Sequence, residues 1–203
     1  MTNRQIAAQE TRRKIVEAAK KIICEKGLAN TSVDEITEAC GVAKGSFYTY
    51  FKRKEEIVFE LSRGMFDEIL SNAKNHSGTF LDKLQKYMTE FASYIEKSSV
   101  KLTQEWIKNV VVPETIPNGY ENNKLEIDLN NTIDLLQYGV ETGELQKDSP
   151  VTQLAYIITD LLYGQMLCWC MSNGTYSYEK RTQEFCKMSL YPLFKNYLIN
   201  KEI

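Results

Sequence analysis

Residues 41–56 read GVAKGSFYTYFKRKEE. Phe47, Tyr48, Tyr50 and Phe51 stand among Lys44, Lys52, Arg53 and Lys54, with Gly41 and Gly45 opening the run. Phe47 and Phe51 are four residues apart, so on a helix they face the same way and can anchor a short segment, about residues 44–50, to a core. The same period turns Lys44, Gly45, Tyr48 and Thr49 outward. Just upstream, Ser32 and Glu35 have the spacing of a capping box. Val33, Ile36 and Cys40 then give a second short helix, and Gly41 marks its end. Before that, Ile15, Ala18, Ala19, Ile22 and Ile23 recur at i, i+3, i+4, i+7 and i+8, which predicts an amphipathic helix over about residues 11–26, closed by Gly27.

Two short helices joined by a tight glycine-containing turn form the pattern of a helix-turn-helix, whose second helix enters the DNA major groove. Each residue type then has a physical task. Gly45 lets the backbone come close, Lys44 reaches guanine acceptors, Ser46 and Thr49 touch base edges, and the Tyr48 and Tyr50 hydroxyls reach phosphate oxygens. Lys52, Arg53 and Lys54 add charge for the DNA backbone. The charge distribution agrees. The 203 residues carry a net −2, yet residues 1–54 hold 11 Lys and Arg against 6 Asp and Glu, a net +5, while residues 55–203 hold 14 against 21, a net −7. A basic head on an acidic body is expected when one end meets a polyanion.

The remainder, in a chain that is 43% hydrophobic and 26% charged, has ordinary globular composition. Its apolar periodicity predicts helices over about residues 54–75, 80–97, 100–111, 121–142, 150–172 and 178–199, separated by NHSGT, PETIPNG, GELQKDSP and SNGTYS. Pro192 is expected to kink the last of them. No segment has strand-like alternation, so the fold class is all-α. The run AYIITDLLYGQMLCWCM, residues 155–171, is interrupted by Asp160, Gly164 and Gln165 and reads as a core or interface helix, with no membrane partner. The five cysteines are odd in number and sit mostly at apolar helical positions. With no secretory signal after Met1, they read as reduced thiols in the cytoplasm.

Catalytic chemistry has no foothold in this sequence. There is no phosphate loop, nucleophile elbow or metal-ligand spacing. Cys168 and Cys170 at i, i+2 point to different sides of a helix, and His76 is a lone histidine in a polar stretch. No enzyme activity, metal or cofactor is therefore expected.

The runs TRRKIVEAAKKIICEKG (residues 11–27) and TSVDEITEACGVAKGSFYTYFKRKEEIV (residues 31–58) resemble the N-terminal DNA-binding domain of TetR-type transcriptional regulators, including its G-S-F-Y-x-Y-F-x-x-K core. The resemblance covers about the first sixty residues. It implies recognition-helix contacts by Lys44, Gly45, Ser46, Tyr48, Thr49 and Tyr50, with Thr31 or Ser32 and Lys54 on phosphates. Tyr50 stands where many members carry His. It also implies a DNA-binding domain over residues 1–54 and an effector-binding and dimerisation domain over residues 55–203, about nine helices in all.

In such a body the last two helices pair with their copies. Leu154, Ile158, Leu161, Phe185, Met188 and Phe194 lie on the apolar stripes available for this contact. Phe66, Tyr87, Phe91, Trp106, Tyr138, Tyr163 and Trp169 are candidates to line an effector pocket, although any one of them taken singly reads as core packing. The expected partners are double-stranded operator DNA, a small apolar effector and a second copy of the chain. The leading expectation is a repressor released from a pseudo-palindromic operator by its effector. An activator and an effector-independent helical DNA-binding module are the alternatives.

Overall fold

The computed structural model describes residues 2–62, 66–111 and 124–199. Among them are ten helices: α1 (Asn3–Lys26), α2 (Val33–Cys40), α3 (Lys44–Tyr50), α4 (Glu55–Ser62), α5 (Phe66–Lys74), α6 (Phe80–Ser98), α7 (Val100–Val110), α8 (Lys124–Glu141), α9 (Val151–Met171) and α10 (Tyr178–Phe194). The PETIPNG segment, residues 121–123 of the helix predicted over 121–142, and residues 63–65 of the helix predicted over 54–75 lie outside the described residues. The chain divides into two compact units, one from residues 1–64 and 98–121, the other from residues 65–97 and 122–203.

The first unit grows from local signals. α1 begins earlier than the apolar period suggests, because Thr2 and Gln5 form a reciprocal capping box at its start. The predicted box at Ser32 and Glu35 opens α2. Gly41 closes it with φ 67°, a left-handed conformation that favours glycine, and the Gly41 and Val42 N–H groups return to the Glu38 and Thr37 carbonyls at 3.2 and 3.0 Å. Ile15, Ala19 and Ile23 of α1 are fully buried together with Ile36, Phe47 and Phe51. This unit also includes α4 and α7, which a division at residue 54 leaves to the body. Arg12 of α1 pairs with Glu60 of α4 at 2.6 Å and lies 5.5 Å over the Phe51 ring. Ahead of α7, the Ser99 hydroxyl donates to Cys24 Sγ at 3.3 Å, and Cys24 donates to the Ser98 carbonyl at 3.2 Å.

The second unit packs α5, α6, α8, α9 and α10 around Phe80, Leu84, Met88, Leu135, Leu136, Ile158, Leu162 and Phe194. Close approach of α6 to α8 requires Gly139, since a Cβ there would meet the Phe80 ring at 2.5 Å. Phe80 in turn sits edge-on to Phe194 at 5.5 Å. α10 passes through Pro192 and ends at Phe194, earlier than the expected 199. Proline has no N–H to return to Met188, so the helix is weakened just where it stops. Residues beyond it close onto the turn after α8 through Gln146 N–H to Tyr197 O at 2.8 Å and Ile199 N–H to Glu144 O at 3.0 Å. α9 is long and apolar enough by composition to cross a membrane, but Leu154, Ala155, Ile158, Thr159, Leu162, Met166, Trp169 and Cys170 are buried within this unit.

Two outcomes follow from this packing. Gly139→Ala forces the Phe80 ring out of place and should lower stability by about 1 to 3 kcal/mol, the range of overpacked cores, as read from chemical denaturation. The Glu35 carboxyl is held down to about 2, first by the Lys26 ammonium and then by Ser32. Its stabilising contribution is therefore present above about 4.5 and lost as pH falls toward about 2. Thermal midpoints of Glu35→Gln should fall less steeply than those of the wild type across that window.

Candidate nucleic-acid interface and buried polar cluster

α3 presents two faces. Phe47 and Phe51 are buried with ring centroids 5.6 Å apart, while Lys44, Gly45, Tyr48 and Thr49 are exposed and Ser46 and Tyr50 half-buried. A Cβ at Gly45 would meet nothing within 4 Å, so the open space above this turn serves no packing within the chain. Lys44 pairs with Asp34 of α2 at 2.8 Å, and that partner raises the affinity of its ammonium for the proton. Thr49 Oγ1 donates to the Gly45 carbonyl at 3.1 Å. Lys52 and Arg53 extend the exposed face.

The three positions implied to touch phosphates behave differently. Thr31 is buried and its hydroxyl donates to the Gly27 carbonyl at 2.8 Å. Ser32 is exposed, but its hydroxyl donates to Glu35 at 3.0 Å as part of the cap. Lys54 Nζ donates to the Leu28 and Thr31 carbonyls, both at 2.7 Å, and ties down the α1–α2 connection. In this conformation Thr31 and Lys54 hold the scaffold beneath α3.

The second unit conceals a charged and phenolic cluster. Asp128 of α8 is 2% exposed and pairs with Lys124 one turn earlier. Tyr163 Oη donates to Asp128 Oδ2 at 2.8 Å. Burial pushes the Asp128 carboxyl above its usual range, against the opposing pull of Lys124 and Tyr163. Burial and the Asp128 charge together push the Tyr87, Tyr163 and Tyr178 phenols upward, so all three stay protonated. The Lys124 ammonium lies 3.4 Å from the Phe66 ring centroid and 5.6 Å from that of Phe91.

Of the seven aromatics expected to line an effector site, Phe66, Tyr87, Phe91 and Tyr163 converge on this cluster, with Phe66–Phe91 centroids at 5.2 Å and Phe91–Tyr163 at 6.3 Å. Trp169 stacks on Tyr178 at 6.0 Å, and Tyr138 receives Lys74 at 5.6 Å. Trp106 belongs to α7, in the first unit, and is buried there. Sequence reading missed Lys124 and Asp128, because an i, i+4 ion pair on a helix has the appearance of solvent-exposed decoration.

The dimer stripes also need rotation. Leu154, Ile158 and Phe194 are interior, and Leu161 and Phe185 half-buried. Met188 is 77% exposed, and the other large apolar side chains facing outward include Tyr156, Ile157, Leu167, Met171 and Tyr191. Both faces of these helices are apolar, and only packing shows which one the subunit keeps for itself.

Residues 15–61 match the family described as bacterial regulatory proteins, tetR family. Over 173 residues the chain is 25% identical to the HTH-type transcriptional regulator UidR of Escherichia coli K12, covering 81% of this chain and 84% of that one. This chain is similar to the TetR-type transcriptional regulators, over residues 15–61 by the family match and over most of its length by UidR. Among solved structures, a TetR-family regulator from Mesorhizobium loti MAFF303099 superposes with a TM-score of 0.75 at 20% identity, covering 98% and 100% of the two chains. FadR of Bacillus subtilis, solved in complex with stearoyl-CoA, superposes with a TM-score of 0.64 at 23% identity, covering 86% and 97%. The family match spans α2 and α3, the second half of α1 and most of α4, the part of the first unit that carries the exposed face of α3.

Among the described residues, no group of three or more His, Cys, Asp or Glu could hold a metal ion. Cys170 and Cys186 are buried thiols pushed up to about 11 and about 12 by desolvation, which keeps them protonated.

The hydrogen bonds of Lys54 generate a prediction that separates scaffold from contact. Lys54→Met should lower the stability of the first unit by about 1 to 3 kcal/mol, since the charged donor to two partly buried carbonyls is lost. Asp34→Asn, which releases Lys44 and removes a negative charge beside α3, should tighten DNA binding at low salt. Denaturation curves and salt-dependent gel shifts of the two variants read these effects, and they should move in opposite directions.

Proposed function

We propose that the protein is a homodimeric repressor that binds adjacent major grooves of a pseudo-palindromic operator through α3 and leaves the DNA when its helical body takes up a small, largely apolar effector. The observation that carries this reading is the division of α3 into a buried Phe47–Phe51 anchor and an exposed Lys44, Gly45, Tyr48, Thr49 face. Ser46 and Tyr50 flank that face and complete the contact set. Lys44 exchanges its Asp34 partner for a guanine or phosphate acceptor on binding. The protein works in the cytoplasm, where its DNA is, and acts by binding alone, without catalysis or cofactor.

Dimerisation uses the outward flanks of α9 and α10. Ile157, Gly164, Leu167 and Met171 recur at helical spacing on α9, and Met188 and Tyr191 lie one turn apart on exposed α10. A Cβ at Gly164 would meet nothing within 4 Å, which leaves room for a partner helix to come close. Such a stripe of large apolar side chains is stable when covered.

The body supports effector binding through the aromatic lining formed by Phe66, Phe91 and Tyr163. Release requires the effector to favour the spacing of DNA heads that does not fit the operator. A shift from 99:1 to 1:99 needs about 5.5 kcal/mol of differential affinity.

Two variants test this reading. With an operator selected from random DNA, Lys44→Ala should weaken binding by about 1 to 3 kcal/mol and relax preference at one base position. Unchanged affinity and preference would remove α3 from the groove. Met188→Glu with Tyr191→Glu, both at exposed positions, should halve the mass seen by light scattering while helicity is retained, and should lose operator binding. A dimer that survives this double change places the contact on another face.

A further inference from the structure

The ion pair of Lys124 and Asp128 is an odd element in an otherwise aromatic interior. Their side chains are 10% and 2% exposed. A buried ion pair is generally no more stabilising than apolar residues of the same volume, so packing alone gives little reason for it. Its surroundings are more informative. The ammonium faces the Phe66 ring at 3.4 Å and the Phe91 ring at 5.6 Å, with the Asp128 carboxylate as counter-charge. Tyr163 donates to the other oxygen of that carboxylate at 2.8 Å. Aromatic faces around a cation, closed by an acid, are the chemistry by which proteins recognise organic ammonium groups.

Two further observations mark the cluster as a site able to change occupants. The Tyr87 hydroxyl, on a side chain that is 0% exposed, has no partner at hydrogen-bonding geometry, and the Thr132 hydroxyl beside it already donates to the Asp128 carbonyl at 2.8 Å. Lys124 carries its ammonium on a flexible four-carbon stem, so its head can leave while its backbone stays in α8.

We propose that the Lys124 ammonium is an internal stand-in for the effector, and that the effector is an organic cation, an ammonium group on an apolar or aromatic skeleton, which takes the place of Lys124 between Phe66, Phe91 and Asp128. Asp128 is the selecting residue. It keeps a counter-charge when a cation replaces Lys124, and is left buried and uncompensated when a neutral or anionic molecule does so. Tyr87 supplies a spare hydroxyl to whatever polar group the ligand carries beside its charge. This inference rests on the ligand-responsive reading above and narrows its ligand to one charge class.

The test uses the full chain and two isosteric probes, benzyltrimethylammonium and its neutral carbon counterpart neopentylbenzene, with stearoyl-CoA as an anionic comparison. Calorimetry without DNA should show the cation binding at least tenfold more tightly than the neutral isostere. Lys124→Met, which removes the occupant, should strengthen cation binding at least tenfold further. The double variant Lys124→Met with Asp128→Leu replaces the pair by apolar side chains, which keeps the interior filled, and should lose the preference for the cation.

Equal affinity for the two isosteres, preference for the anion, or a Lys124→Met variant no better than wild type would each overturn the proposal. If Lys124→Met fails to fold, the wild-type comparison and the double variant decide it alone. A gel shift with operator DNA separates this inference from the reading it rests on. Selective cation binding that leaves the DNA complex intact supports the site and sinks the effector-release mechanism, whereas release by the neutral or anionic probe, with no cation selectivity, does the reverse.

Discussion

The exposed face of α3 depends on two phenylalanines. A seven-residue helix has almost no stability of its own, because nucleation costs more than so few hydrogen bonds return. α3 exists because Phe47 and Phe51 are buried against α1 and α2, at 0% and 1% exposure. It also lacks a side-chain cap at its start. Its direction is therefore set by that packing, by the left-handed turn at Gly41, and by the Lys54 ammonium that gathers the Leu28 and Thr31 carbonyls. Small shifts in this scaffold would re-aim every exposed side chain of α3 at once.

The second unit works under the opposite constraint. Its helices enclose a largely apolar core, and its interior nevertheless contains a carboxylate, an ammonium and three buried phenols. Desolvation disfavours the Asp128 charge, and Lys124 with Tyr163 offsets this. The pairing is local, four residues apart on one helix, while the aromatic faces that receive the ammonium come from α5 and α6.

α9 and α10 have apolar residues on more than one side, for a reason that is common in assemblies. One face closes the subunit around Ile158, Leu162 and Phe194, and the other leaves Ile157, Met188 and Tyr191 in water. Such helices have little amphipathic contrast, so their sequence records that they are sandwiched but not in which order.

The helix-turn-helix was legible in the sequence because all its determinants are short-range: the Ser32–Glu35 cap, the Gly41 turn, the four-residue spacing of Phe47 and Phe51, and the basic face. The all-helical class and most helix limits followed from apolar period and breaks in the same way. Tertiary structure alone decided the rest. It put α4 and α7, and Trp106 with α7, in the same unit as α1. It turned Leu154 and Phe194 inward and Met188 outward. It gave Thr31 and Lys54 backbone carbonyls as partners, and buried a Lys124–Asp128 pair that in sequence reads as a solvated one. The physical reason is common to these cases. Capping, turns and helical period are fixed by neighbours within about four residues, whereas burial and hydrogen-bond partnership depend on what the rest of the chain brings to the other side.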